Sequence, residues 1–208
     1  MLGAPDGGAQ STRGGGALRR AFLAVVPPPP VLRWTESLVE SARRPDDGLR
    51  WTRPDQRHLT LQFLGRVDES NSLTESVGES VRRIARFTLA LGGAGAFPAA
   101  RRASVLWIGV ARGGDELAAL ASAVTAATAA LGFESEDRSF RPHVTLARTN
   151  RARDVRAAVG RLGTDLAGPP FTVDRVVLFD SDTRPEGAVH TVVANFPLAE
   201  AVRTARST

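Results

Sequence analysis

The sequence predicts an α+β fold made of two αβ lobes around a shared central cleft, and three observations predict it. The pentapeptide Arg57-His58-Leu59-Thr60-Leu61 returns about 85 residues later as Pro142-His143-Val144-Thr145-Leu146. Each copy sits on a short apolar run followed by a stretch with helical periodicity. Phe87-Thr88-Leu89, after the first motif helix, is answered by Phe171-Thr172-Val173 after the second. The order strand, helix, motif strand, helix, paired strands thus occurs nearly twice, which reads as an internal pseudo-twofold. No linker separates the halves, so a single bilobal domain over residues 18–200 is expected, with tails at 1–17 and 201–208.

Residues 1–17 are rich in Gly and almost free of large apolar side chains, so they cannot offset the entropy of ordering; a disordered tail is expected. Gly7-Gly8 and Gly14-Gly15-Gly16 follow no strand and do not read as a phosphate-binding loop. Residues 21–26 form a first strand, closed by prolines 27–30, which cannot continue a ladder but suit the first turn of a helix. Val31, Trp34 and Leu38 recur at helical spacing, and Arg43-Arg44-Pro45 ends that helix. A short strand over 49–52 precedes a turn at Pro54-Asp55.

The first motif strand, 57–64, is stopped by Gly65. Leu73, Val77, Val81 and Ile84 mark an amphipathic helix. Residues 87–91 and 104–110 read as two strands, with Gly92-Gly93-Ala94-Gly95 and Pro98 between them as a turn or bulge. Leu117, Leu120, Ala121, Val124 and Leu131 stripe the clearest helix, with Gly132 as its C′ residue. The second motif strand covers 140–147. Val155, Val159 and Leu162 give another helix, and strands 171–179 and 189–196 close the chain around a turn near Pro185-Glu186-Gly187.

In a strand, alternate side chains share a face. His58 and Thr60 therefore lie on one side, with Leu59, Leu61 and Phe63 on the core side; His143 and Thr145 share a face in the same way. Two residues along a strand span roughly 6.6 Å, so an imidazole and a hydroxyl at i and i+2 can hold different oxygens of one tetrahedral group. Displacement at phosphorus needs one proton removed from the attacking oxygen and one given to the leaving oxygen, and two histidines can supply both. The scheme needs no metal and no cofactor, and it suits a strained 2′,3′-cyclic phosphate better than an unactivated DNA backbone.

Composition narrows the chemistry. The 208 residues contain no Cys, which removes disulfides and thiolate chemistry, and all 27 basic residues are Arg, which removes lysine nucleophiles and P-loop lysines. Anions must then be met by Arg, hydroxyls or backbone N–H, and the net charge of +5 favours an anionic partner. No apolar run approaches the roughly 18 residues of a membrane span, and the N-terminus lacks an apolar signal core. A cytoplasmic, non-membrane monomer is expected.

Arg57-His58-Leu59-Thr60-Leu61-Gln62-Phe63-Leu64-Gly65, the run 105–110, Arg141-Pro142-His143-Val144-Thr145-Leu146-Ala147-Arg148, the run 177–181 and Asn195-Phe196-Pro197-Leu198 together resemble the bacterial and archaeal RNA 2′,3′-cyclic phosphodiesterases. These are the two-histidine phosphoesterases also called 2′-5′ RNA ligases. The resemblance implies a bilobal fold with antiparallel sheets, and hydrolysis of RNA 2′,3′-cyclic phosphate ends to 2′-phosphates with 2′-5′ ligation as a related activity. It implies that His58 and His143 are catalytic, with Thr60, Thr145 and Arg148 binding substrate; His58 would protonate the leaving 3′ oxygen and His143 would activate water. Two positions depart from the pattern: Arg57 stands where the family is usually apolar, and His190 where it usually has Tyr.

Arg141, two residues before His143, is a further candidate for phosphate or RNA contact. Arg101-Arg102 and Arg151, Arg153 and Arg156 either steer RNA or form a solvated surface. Trp34, Trp51, Trp107 and Phe63 read as packing, and His190 reads as structural rather than as the third ligand of a zinc site with His58 and His143. The partner is RNA with a 2′,3′-cyclic phosphate end or a small cyclic nucleotide. The alternatives are a phosphodiesterase for another cyclic or 2′-5′ linked nucleotide, and a non-catalytic RNA-end-binding module.

Overall fold

A computed structural model describes residues 17–45, 47–68, 71–134, 139–184 and 187–200. The expected tails, apart from Ala17, lie outside these residues, as do the N-terminal glycine clusters and Pro185-Glu186 of the last turn.

Strand β1 (Leu18–Val25) ends at the prolines, and Pro28 caps α1 (Pro29–Ala42) with its backbone still extended. A two-residue strand β2 (Arg50–Trp51) and a single 3-10 turn (Pro54–Gln56) lead into the first motif strand, β3 (Leu59–Val67), which runs on through Gly65 rather than stopping there. Helix α2 (Asn71–Val81) follows, burying Leu73, Val77 and Val81 as the spacing predicts. Next come β4 (Phe87–Phe97), a 3-10 turn (Ala100–Arg102), β5 (Ala103–Arg112) and α3 (Gly114–Ala129). The second motif strand is β6 (Val144–Arg153); α4 (Arg156–Leu162), β7 (Phe171–Val173), β8 (Arg175–Arg184) and β9 (Gly187–Pro197) complete the chain.

Two expectations are corrected here. Gly92-Gly93-Ala94-Gly95 is a bulge rather than a turn: β4 runs through it instead of ending there, and its register with β5 slips between Gly92 and Ala94. A side chain at Gly92 would meet the Leu166 carbonyl at 2.2 Å, and one at Gly95 would meet the Trp107 ring at 2.3 Å. These glycines permit close approach, and Gly93, at φ +68°, sits where the β4–β5 register slips. Leu131 falls beyond the end of α3 and is 40% exposed, so it is not part of that helix's buried stripe.

All strand pairings are antiparallel, in the order β7-β4-β5-β6-β3-β1-β8-β9, with β2 added to β6. The sheet has two halves, and they join where Leu59 of β3 pairs with Val144 of β6. Helices α2 and α3 pack together beside β9 and β3, while α1 and α4 pack together with α4 on β4. Helix α3 follows β5 of one half yet covers the other, so the lobes are intertwined. The matching segments Phe87-Thr88-Leu89 and Phe171-Thr172-Val173 meet directly as β4 and β7.

Alternation along β1 shows the two faces. Leu23 and Val25 enter the main core under the helices, whereas Phe22 and Ala24 form a separate buried cluster with Val177 and Phe179. That second cluster floors one side of the cleft.

Candidate active site

Both motif histidines sit immediately before their strands and are held by the same device. Nδ1 of His58 lies 2.8 Å from the Gln56 carbonyl, and Nδ1 of His143 lies 2.7 Å from the Arg141 carbonyl. A carbonyl only accepts, so each Nδ1 is the N–H donor and each Nε2 is left to meet a ligand. Leu59 faces Val144 across the antiparallel strands; the same register, carried one residue either way, sets His58 opposite Thr145 and Thr60 opposite His143. The four residues of the two motifs thus converge about one point.

A bulge in each motif strand then changes which side chains join them. In β3, Ala24 pairs with Thr60 and Leu23 with Gln62, which leaves Leu61 without a partner in β1. In β6, Trp107 pairs with Thr145 and Leu106 with Ala147, which leaves Leu146 without one in β5. An extra residue reverses the alternation beyond it. Leu61 and Gln62 are consequently both buried, as are Leu146 and Ala147, and Phe63 and Arg148 turn to the cleft side. Phe63 is 55% exposed, so its assignment to packing by simple parity is overturned. Gln62 takes the inward place and accepts a hydrogen bond from the Thr128 hydroxyl at 2.7 Å.

Arg148 is exposed and stands opposite Arg50 of β2. Arg141 supplies its carbonyl to His143, while its own side chain is exposed. Arg156 is paired with Asp154 at 2.6 Å, and Arg101 and Arg102 lie exposed on the 3-10 turn before β5. Trp107 lies near His143, at 6.3 Å between ring centroids, and Phe97 meets that histidine edge-on at 5.0 Å.

The surroundings of His58 are more enclosed. Phe22 stacks on its ring at 4.7 Å, and His190 approaches edge-on at 5.2 Å. Burial holds the His58 pKa down to about 4; the neighbouring His190 adds to the depression, as do Arg148 and His143, against the Gln56 carbonyl, which favours the charged form. His190 is itself lowered by burial, with Asp55 opposing, and its Nδ1 lies 3.1 Å from the Ser181 hydroxyl. The sequence places His190 as structural; its contact with His58 is signalled there only by the departure from the usual Tyr and by the scarcity of histidine in the chain. The described residues contain no group of three or more His, Cys, Asp or Glu side chains placed to hold a metal ion.

Arg57, which stands where the resemblance expects an apolar residue, is 2% exposed and is bound into the structure through its two terminal nitrogens, while its buried Nε has no hydrogen-bond partner. It donates to the Thr35 hydroxyl at 2.9 Å, the Thr52 carbonyl at 2.9 Å and the Glu36 carboxylate at 2.5 Å. A groove of about 610 Å³ between the end of α1 and β2, lined by Arg43, Arg44 and Trp51 among others, holds none of the motif residues. Among the described residues no helix is long and apolar enough to cross a membrane.

The family described as the 2′-5′ RNA ligase superfamily matches residues 27–185. The chain is 40% identical over 104 residues to an RNA 2′,3′-cyclic phosphodiesterase of Aeropyrum pernix, covering 49% of this chain and 58% of the relative. It is 30% identical over 154 residues to one of Aquifex aeolicus, covering 72% and 81%. Among solved structures, a protein of Thermus thermophilus superposes with a TM-score of 0.68 at 29% identity, covering 87% of this chain and 98% of that one. LigT of Escherichia coli complexed with 3′-AMP gives 0.69 at 25% identity with the same coverage.

Proposed function

The chain belongs to the 2′-5′ RNA ligase superfamily, and from that premise we propose that its cleft hydrolyses RNA 2′,3′-cyclic phosphate ends to 2′-phosphates. One observation carries the reading. Two histidines, each with Nδ1 fixed by the carbonyl two residues before it, offer their Nε2 atoms from strands that meet at Leu59 and Val144. A phosphorus between them would have a proton donor on one side and a proton acceptor on the other, as in-line displacement requires.

Thr60, Thr145 and Arg148 hold the non-bridging oxygens in this scheme, where negative charge grows in the transition state. Arg141 contributes the carbonyl that fixes His143, and its exposed guanidinium is a further contact for phosphate or RNA. His58 protonates the leaving 3′ oxygen and His143 activates water. Because burial keeps free His58 neutral above about pH 4, its proton must be taken up together with the anionic phosphate, whose charge favours the imidazolium. The same steps with an RNA 5′-hydroxyl in place of water give 2′-5′ ligation, and their reversal cleaves a 2′-5′ linkage to the cyclic phosphate. A cytoplasmic monomer acting without metal or cofactor fits this chemistry.

The test is hydrolysis of an oligoribonucleotide bearing a 2′,3′-cyclic phosphate, in excess EDTA, by wild type, His58→Ala and His143→Ala. EDTA-resistant formation of a 2′-phosphate that both substitutions abolish is the expected result. Turnover that EDTA removes, or that survives either substitution, would sink the two-histidine scheme.

A further inference from the structure

The tail of β6 carries Arg148, Arg151 and Arg153, all exposed. Arg148 stands directly opposite Arg50 of β2, and Arg153 directly opposite Ala103, which follows the 3-10 turn that exposes Arg101 and Arg102. Six guanidiniums are thus gathered on adjoining segments, in a ridge that begins at the cleft. The strand is deformed to present them. β6 takes five steps from Arg148 to Arg153 while β5 takes two from Val105 to Ala103, so the surplus chain bulges and leaves Asn150, Arg151 and Ala152 exposed. The Thr149 hydroxyl donates to the Ala103 carbonyl at 3.2 Å and the Val155 N–H to the Ala100 carbonyl at 2.7 Å, which pins the bulge at both ends.

Several exposed arginines elsewhere are paired with acids, as Arg66 is with Asp68 and Arg175 with Asp174. Among the described residues none of the six ridge arginines has an ion-pair partner, and of their guanidiniums only that of Arg153 is hydrogen-bonded, to the Asp47 carbonyl. Asp154 and Asp47, the acids on the same segments, are already engaged, the first with Arg156 at 2.6 Å and the second with the Leu49 N–H at 2.8 Å. Like charges set opposite one another across a ladder are destabilising. Arg50, Arg148 and their neighbours therefore repel until a run of negative charge lies over them.

We propose that this ridge carries the backbone of single-stranded RNA leading away from its reacting end, an inference that rests on the cyclic-phosphate reading above. Arg148 sets the start of the ridge at the cleft, so a polymer whose end is held there meets the other five arginines next. Guanidinium forks suit phosphate oxygens. Residues 148–153 include no aromatic side chain, so this strand has nothing on which to stack a base and holds RNA through its phosphates without reading sequence. Chemistry at phosphorus needs only the cyclic end. The ridge accordingly sets which substrates are used well, favouring oligomers over mononucleotides.

Hydrolysis of adenosine 2′,3′-cyclic phosphate and of a single-stranded oligoribonucleotide of about ten nucleotides with the same end tests this. At low salt, wild type should show a kcat/KM at least roughly tenfold higher for the oligomer. The triple variant Arg101→Gln, Arg102→Gln, Arg151→Gln should lose most of that preference with mononucleotide kinetics unchanged. Fluorescence anisotropy should show the salt slope of oligomer binding falling by about 2, at about 0.7 per lost phosphate contact. The control triple Arg82→Gln, Arg83→Gln, Arg175→Gln, which makes the same change in net charge beyond α2 and on β8, should keep the preference. Four results would overturn the ridge while leaving the hydrolase reading in place: no oligomer preference in wild type, a preference that survives in the ridge variant, a loss shared by the mononucleotide, or an equal loss in the control. A protein that turns over neither substrate, yet binds the oligomer with a salt slope that only the ridge variant lowers, would keep the ridge and discard the hydrolase reading.

Discussion

Phe63 and Arg148 occupy the same position in the two motif strands, five residues beyond His58 and His143, and each reaches the cleft because a bulged leucine precedes it by two. The pseudo-twofold therefore extends past the His-x-Thr motifs into the irregularities of the strands. It stops at chemistry: one half presents a phenyl ring and the other a guanidinium. A symmetric set of motif side chains thereby acquires a polarity, which the asymmetric diester proposed as substrate needs.

Arg148→Ala should lower kcat/KM for a cyclic phosphate roughly ten- to a hundredfold, the scale of a lost charge-assisted contact. Arg148→Lys should recover part of it, since an ammonium keeps the charge but not the planar fork. Steady-state kinetics at fixed ionic strength would read this. Identical rates for wild type and Arg148→Ala would place the guanidinium in solvent.

His58→Gln and His143→Gln should each cost on the order of 10²- to 10⁴-fold in kcat. Each should also remove one limb of the pH–rate profile. Loss of the same limb in both would show that the two histidines do not divide the acid and base roles.

Neutral, partly buried His58 should make the fold acid-sensitive. Its folded pKa of about 4 lies below the ordinary value of about 6.5, so between these values the unfolded chain binds more protons and stability falls as pH falls. The linked loss across that window is about 3 kcal/mol, and His190, lowered by burial as well, acts in the same direction. Urea unfolding at pH 7 and pH 4.5 should show a smaller pH-dependent loss in His58→Phe than in wild type. Equal losses would mean that His58 is more solvated than its contacts indicate.

The two histidines, the helices and the order of elements were legible because they rest on local periodicity and on a repeat. The bulges at Leu61 and Leu146 were not, since a bulge is defined by the partner strand's register, and parity counted along β3 alone put Phe63 in the core. The glycines of β4 misled in a similar way. Their requirement comes from Leu166 and the Trp107 ring, neither adjacent in sequence. The contact between His190 and His58 joins β9 to the start of β3 across the two intervening strands β1 and β8, again a property of the assembled sheet.

Arg57 ties α1 to the turn that holds the Gln56 carbonyl, through Thr35, Glu36 and Thr52. Arg57→Ala should destabilise by about 3 kcal/mol, because it leaves a void and unpaired partners. Arg57→Leu, which restores the apolar character usual at this position, should cost clearly less, since Glu36 is partly open to water and the desolvation of a buried cation disappears. Chemical denaturation would rank the three proteins; Arg57→Leu at or below Arg57→Ala would show that the hydrogen bonds matter more than the filled volume.

His190 should act on His58 through charge. It is the second cause, after burial, that lowers the His58 pKa, so His190→Gln should move that pKa upward while leaving it below the ordinary value, because burial remains. His190→Tyr should do the same, and it restores the side chain usual at that position. The chain has three histidines, so ring-proton NMR titration can follow each of them, first alone and then with inorganic phosphate added. Phosphate should raise the His58 pKa in both wild type and variant, because its anion favours the imidazolium whether or not His190 is present. A His58 titration that phosphate moves but His190→Gln does not would reduce His190 to a packing partner of Phe22, while one that phosphate leaves in place would remove His58 from the phosphate site and with it the acid role assigned to it.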